Sequence, residues 1–137
     1  MDDVTVNIIE RPQLKDAIMI EGLPGIGLVG KIAADHMKDE MKAVKFAEII
    51  SPFLPPQVNI QDDGTVKLVN MEFYFWHGER DIIFLLGDYQ GITPDSQYQL
   101  AEKTLDLAQQ FNTKRIYTLG GLGTGSITQS PRVFGAA

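Results

Sequence analysis

The passage from Ala17 to Met41 constrains this chain more than any other part of it. An apolar run, Ala17-Ile18-Met19-Ile20, reads as a buried strand, and Gly22-Leu23-Pro24-Gly25-Ile26-Gly27-Leu28-Val29-Gly30-Lys31 carries it into an amphipathic stretch. The periodicity predicts a helix over Ile26 to Met41, with Ile26, Val29, Ala33 and Met37 on one stripe. A strand that turns through glycines into a helix lays that helix back over its own sheet. The passage therefore points to an α/β fold.

The rest of the chain repeats the alternation. Residues 3–9 and 16–22 read as strands, as does Val44 to Ile50, which Ser51-Pro52 closes. Pro52-Phe53-Leu54-Pro55-Pro56 is excluded from a central strand, because proline lacks the ladder donor. Asp62-Asp63-Gly64 suits a hairpin turn between two short strands, the second running through Met71-Glu72-Phe73-Tyr74-Phe75-Trp76. Asp81 to Asp88 is a continuous apolar run of the kind buried on both faces. A second helix begins with Thr93 as N-cap, Pro94 at its first position and Asp95 in its first turn. Its expected inner stripe is Ala101, Leu105 and Ala108, and Asn112 supplies a left-handed stop. Arg115 to Leu119 is a further strand, leading into Gly120 to Gly125, and Val133 to Ala137 reads as the entry to another. Strand and helix in alternation predict a mainly parallel sheet plus a β-hairpin, in a single domain over residues 1–137.

Composition narrows the function classes. The 137 residues carry a net charge of −6 with no basic stripe, which argues against nucleic acid. There is no cysteine, so disulfides, thiolate metal sites and cysteine nucleophiles are excluded. The start, MDDVTVNIIERP, lacks a cationic-then-apolar signal pattern, and no apolar run reaches membrane-spanning length. The expected compartment is the cytoplasm. His36 and His77 have no metal-ligand spacing, and no Gly-x-Ser-x-Gly elbow is present, so neither a metal nor a catalytic residue is assigned.

Two nucleotide patterns nearly fit the glycine passage. Gly25, Gly30 and Lys31 have phosphate-loop spacing, but Ile32 stands where a hydroxyl would bind magnesium. Gly25, Gly27 and Gly30 fit a dinucleotide fingerprint, but the expected ribose acid, Glu48, sits inside its strand. The competing reading is that these glycines let the helix pack tightly on the sheet, and no cofactor is assigned. If a small ligand binds, the loops at 22–31, 87–90 and 120–126 would form its crevice. Gly25, Gly27, Gly30, Lys31, Asp88, Gln90, Gly123, Thr124 and Ser126 are the candidate residues. A partner or self-association surface is expected at Phe53, Pro55, Pro56, Tyr74 and Trp76, where aromatic side chains alternate along a strand beside a proline ridge.

Several blocks in order resemble the archaeal branch of the proteasome assembly chaperone family. They are Glu21 to Lys31, Ala47-Glu48-Ile49 with Ser51-Pro52, Pro55-Pro56-Gln57-Val58, Asp63-Gly64-Thr65-Val66 and Glu72-Phe73-Tyr74. Gly87-Asp88-Tyr89-Gln90, Arg115 to Gly121, and Gly123-Thr124-Gly125 with Pro131 to Ala137 complete the set. The resemblance implies a three-layer α/β/α fold of the nucleoside phosphorylase type. It also implies non-catalytic binding that assists assembly of proteasome α-subunit rings, and a homo-oligomer. Family chains run longer, so this chain is expected to be the N-terminal part of one. The family's docking tail, a hydrophobic-tyrosine pair, has no counterpart at Gly135-Ala136-Ala137. The alternative is a small-molecule or nucleotide-binding enzyme using the glycine loops.

Overall fold

A computed structural model describes residues 3–137. Its strands are β1 (Thr5–Ile8), β2 (Ala17–Gly22), β3 (Val44–Ile50), β4 (Val58–Ile60), β5 (Val66–Leu68), β6 (Met71–Trp76), β7 (Ile82–Gly87) and β8 (Thr113–Thr118). Two helices, α1 (Val29–Glu40) and α2 (Pro94–Gln110), complete a mixed α/β fold. Six strands form one sheet in the order β1-β3-β6-β7-β2-β8, and β4 pairs separately with β5.

The mainly parallel sheet is corrected. Only β2 with β7 and β2 with β8 pair in parallel; β1 with β3, β3 with β6 and β6 with β7 are antiparallel. The strands joined through a helix, β2 to β3 and β7 to β8, do run in one direction, as a crossover connection requires. However, β6 and β7 lie between β2 and β3, and β2 lies between β7 and β8, so neither helix-linked pair consists of neighbours. Sequence alternation reports direction along the chain and is silent about such insertion.

The sheet interior is apolar on both faces of β7, as its composition predicts. Ile83 and Leu85 belong to a cluster with Phe46, Phe73, Leu100, Leu107 and Phe111, whereas Phe84 and Leu86 pack with Ala34 of α1. Phe46 anchors the larger cluster through edge-to-face contacts, its ring centroid 4.8 Å from Phe111 and 5.8 Å from Phe75.

Both helix stripes are displaced from expectation. Residues 26–28 form a 3-10 turn in which Gly27 and Leu28 take left-handed conformations, at φ of 64° and 52°, and α1 begins only at Val29. The delay resets the phase of the helix. Gly30 and Ala34 are buried, while Ile26, Val29 and Ile32 are each more than half exposed. A side chain on Gly22 would lie 2.3 Å from the Ala34 Cβ, and one on Gly30 would lie 2.1 Å from the Leu119 carbonyl oxygen. Close backbone approach therefore fixes the inner face of α1, and the apolar side chains follow from it. In α2 the buried face is Ser96, Leu100, Thr104, Leu107 and Ala108, so Ala101 and Leu105 lie outside the stripe assigned to them.

The caps of α2 form as read. Thr93 and Ser96 make a reciprocal capping box, Pro94 opens the helix, and Asn112 is left-handed at φ 58°. The hairpin turn also forms, with Gly64 at φ 82°. Its second strand nevertheless ends at Leu68, and Met71–Trp76 is a separate strand of the large sheet. Val133 to Ala137 forms no strand, since no described strand pairs with it.

Alanine at two glycines should give different outcomes in chemical denaturation. An added Cβ at Gly30 meets the Leu119 backbone, so Gly30→Ala is expected to cost about 1–3 kcal/mol through overpacking. The helix propensity of alanine alone would favour it by about 1 kcal/mol. At Gly25 no atom lies within 4 Å of the added carbon, and Gly25→Ala should be tolerated within about 0.5 kcal/mol.

Candidate functional site

The parallel arrangement of β2, β7 and β8 brings the three glycine-bearing loops together. The Gln90 side-chain amide donates to the Pro24 carbonyl, and a Cβ on Gly121 would fall 2.2 Å from the Ile26 carbonyl oxygen. Within this contact Gly25 faces open space, Gly27 makes the left-handed turn, and Gly30 lies against Leu119. Gly123 lies 4.0 Å from Ile26 by its built Cβ, and the Thr124 hydroxyl donates to the Ser126 carbonyl at 2.9 Å. Lys31 points to Asp88 of the loop at 87–90 and to Asp35 of its own helix. Its Nζ lies 2.9 Å from Asp35 and 3.5 Å from Asp88, and these carboxylates outweigh burial and raise its pKa.

Lys31 and Asp88 lead into a cluster of charges on β3 and β6 that the sequence reading missed. Alternation would put Lys45 and Glu48 on opposite faces, but a bulge between Lys45 and Ala47 brings both to one face. Lys45 Nζ lies 2.7 Å from Glu48 and 2.9 Å from Glu72. Glu72 also accepts from Lys67, and from the Tyr74 hydroxyl at 2.6 Å. Burial alone would push Glu72 up, but Lys67, Tyr74 and Lys45 together hold it at about 2. A carboxylate held so low is a poor proton acceptor at neutral pH; its chemistry is that of an anchor. Burial raises the Tyr74 phenol, and Glu72 raises it further, so the hydroxyl stays protonated and keeps donating.

What the cluster anchors is the β4–β5 hairpin. Asn59 and Lys67 face each other across it and point to the body of the protein, Asn59 donating to Asp88 at 3.1 Å and Lys67 to Glu72. The register places Val58, Ile60, Val66 and Leu68 on the opposite face, exposed by 49–79%. The hairpin is thus clamped by its polar face and presents its aliphatic face outward. A two-stranded hairpin is marginal by itself, so these polar contacts hold it in place. The alternation Val58-Asn59-Ile60 and Val66-Lys67-Leu68 around Asp63-Gly64 was visible in the sequence. Only the inversion of its usual polarity was hidden.

The expected interface residues divide. Phe53 packs against the larger core, while Tyr74 and Trp76 pack half-buried beside α1. Pro55 is half-buried and Pro56 exposed, next to Val58. His36 is exposed, and His77 Nδ1 lies 3.0 Å from Asp81. Among the described residues, no helix is long and apolar enough to cross a membrane.

A mixed α/β scaffold thus carries an ionic anchor that holds the aliphatic face of a hairpin outward. The chain belongs to the PAC2 family, which it matches over residues 19–137. It is 45% identical to Pyrococcus furiosus PbaB, an archaeal proteasome activator, with a TM-score of 0.90 over 96% of this chain and 57% of that one. Pyrococcus furiosus PbaA, an archaeal homolog of proteasome-assembly chaperone, is 28% identical with a TM-score of 0.71, over 93% of this chain and 52% of that one. An uncharacterized protein of Methanocaldococcus jannaschii is 39% identical over 133 residues, which are 97% of this chain and 52% of that protein. The family read from the ordered sequence blocks is therefore the right one, and the chain spans about half the length of these relatives.

Acid titration of stability should report the Glu72 anchor. Its folded pKa lies below the ordinary value of 4.5, so its contribution is full above that value and is lost as pH falls toward about 2. Glu72→Gln should be less stable than the parent at pH 7, and the gap should close as pH falls through this window. Urea midpoints measured across the range check it.

Proposed function

We propose that this chain is a protein-binding element of a proteasome-associated factor, acting without catalysis to assist assembly of α-subunit rings. PAC2 family membership, together with the 0.90 structural match to an archaeal proteasome activator, carries this reading. The outward aliphatic face of β4–β5 is the contact surface that fits it, extended by Pro56 at its edge. Interfaces place such uncharged side chains at their centre and leave charge to the rim. The same surface would serve self-association into a homo-oligomer. A three-layer arrangement belongs to this reading, because α1 packs on Phe84 and Leu86 while α2 shares a cluster with Ile83 and Leu85. A cytoplasmic location is part of it as well.

Native mass spectrometry of the protein mixed with archaeal proteasome α subunits tests the proposal. A defined mixed complex is expected. Ile60→Asp combined with Val66→Asp should weaken it about tenfold or more, since charge would enter a desolvated contact. Both positions are exposed, so the variant's own stability should change by no more than about 1 kcal/mol. Absence of any mixed complex would overturn the function, and a complex indifferent to the double change would move the contact off the hairpin.

A further inference from the structure

The hairpin cluster lies at the carboxyl end of β7, where Glu72 pairs with Leu86. A second charged region lies at the other end of the same strands. Asp16, Ile18, Arg80, Lys114 and Arg115 line an open cleft of about 290 Å³ where β2, β7 and β8 begin. Its cations meet for a reason of register. Ala17 lies opposite Thr113 and Ile18 opposite Arg115, so Lys114 is the extra residue of a bulge on β8. Successive residues of a regular strand point to opposite faces. The bulge breaks that alternation, and Lys114 and Arg115 line the same cleft. Arg80 comes from the other side of β2, because its turn leads into β7, whose Ile82 pairs with Ile18. Ile18 is half-buried and supplies an apolar floor on which the stems of these long side chains can lie.

These cations are uncommitted. On the hairpin side Lys31, Lys38, Lys45 and Lys67 are each paired with a carboxylate. Arg80, Lys114 and Arg115 enter none of the ion pairs among the described residues. Arg115 donates to the Tyr117 hydroxyl at 3.3 Å, which leaves most of its guanidinium fork free. Asp16 lines the cleft without pairing with any of the three, so three cations face one acid. In a chain of net charge −6 this is a local excess of positive charge. Gathering like charges raises the energy of the free protein, and an anion seated among them lowers it again. The kind of anion follows from exposure. All three cations are exposed, so they do not enclose a small free ion and strip it of water. They suit several carboxylates presented together along one chain, each met by a guanidinium fork or by the Lys114 ammonium.

We propose that this cleft is a docking surface for an acidic peptide segment of a partner protein, its carboxylates shared among Arg80, Lys114 and Arg115. The surface uses none of the hairpin's side chains and stands or falls independently of the proteasome-related reading.

An amide-detected NMR titration of the full chain with hexaglutamate, hexaglutamine and inorganic phosphate tests it. Hexaglutamate should move the amides of Ile18, Arg80, Lys114 and Arg115 and leave those of Ile60 and Val66 on the hairpin in place. It should bind roughly tenfold more tightly than hexaglutamine, as several charge-assisted contacts allow. Its affinity should fall as ionic strength rises from about 0.1 M to about 1 M, where the Debye length shrinks from about 10 Å to about 3 Å. Arg80→Gln combined with Arg115→Gln should weaken hexaglutamate roughly fivefold, as the loss of two exposed charge pairs allows. The proposal is overturned if hexaglutamate leaves the four amides unmoved, if hexaglutamine binds as well, or if salt has no effect. Equal binding by the double variant would also overturn it, and phosphate binding as tightly as hexaglutamate would replace it with a free oxyanion site. The probe comparison on the unaltered chain decides the matter even if the variant fails to fold.

Discussion

The contact of α1 backbone with sheet backbone sets the rest of the molecule. At Gly22 and Gly30 there is no room for a side chain between helix and strand ends, and the loop after β8 closes on the turn before α1 at Gly121. This fixes the rotation of α1 about its own axis. Gly30 and Ala34 face inward, and Lys31 is carried round to Asp35 and Asp88. Asp88 in turn receives Asn59 from the hairpin. The glycine passage thus reaches the outer surface through one helix turn and one ion pair. Its glycines are required by packing, whatever else the loops contact.

The hairpin depends on electrostatics that only a partly buried setting makes effective. Exposed ion pairs contribute little, because water screens them and side-chain freedom is lost in forming them. Glu72 is different: its side chain is 13% exposed and accepts from several donors at once. Removing one partner would leave the others facing an uncompensated charge. The cluster is accordingly an anchor with a directional consequence. By drawing Lys67 and Asn59 inward, it turns four aliphatic side chains outward.

Local chemistry was legible in the sequence, and relations between distant segments were not. Thr93-Pro94 with Asn112 marks α2, Asp63-Gly64 marks the hairpin, and the run through Ile83 to Leu86 marks a strand buried on both faces. Each is a decision taken within a few residues. The insertion of β6 between β3 and β7 is a pairing across the chain, and alternation of strand and helix carries no information about it. The stripe of α1 failed for a related reason. Periodicity identified a helix, but the left-handed Gly27 and Leu28 shifted where it starts, and a tertiary contact chose which face turns in. Lys45 and Glu48 shared a face only because of a bulge that no local signal announced. The glycine-loop residues were brought together by topology, while the charged cluster beside them lay in plain view as isolated acids and lysines.

The direction of the pKa shifts marks the ion pairs of this cluster as structural. An acid or base that works at neutral pH needs its pKa moved toward that pH. Glu72, Glu48 and Asp81 are instead lowered, and Lys31 and Lys45 are raised. Each is driven further into its charged form by a fixed partner, which is the signature of a structural ion pair. Tyr74 is driven further into its neutral, donating form, by burial and by Glu72. Among the described carboxylates with a resolved shift, only Glu21 is raised, because burial outweighs the Leu23 amide hydrogen bond it accepts. The ionic chemistry of the hairpin side is thus committed to holding shape.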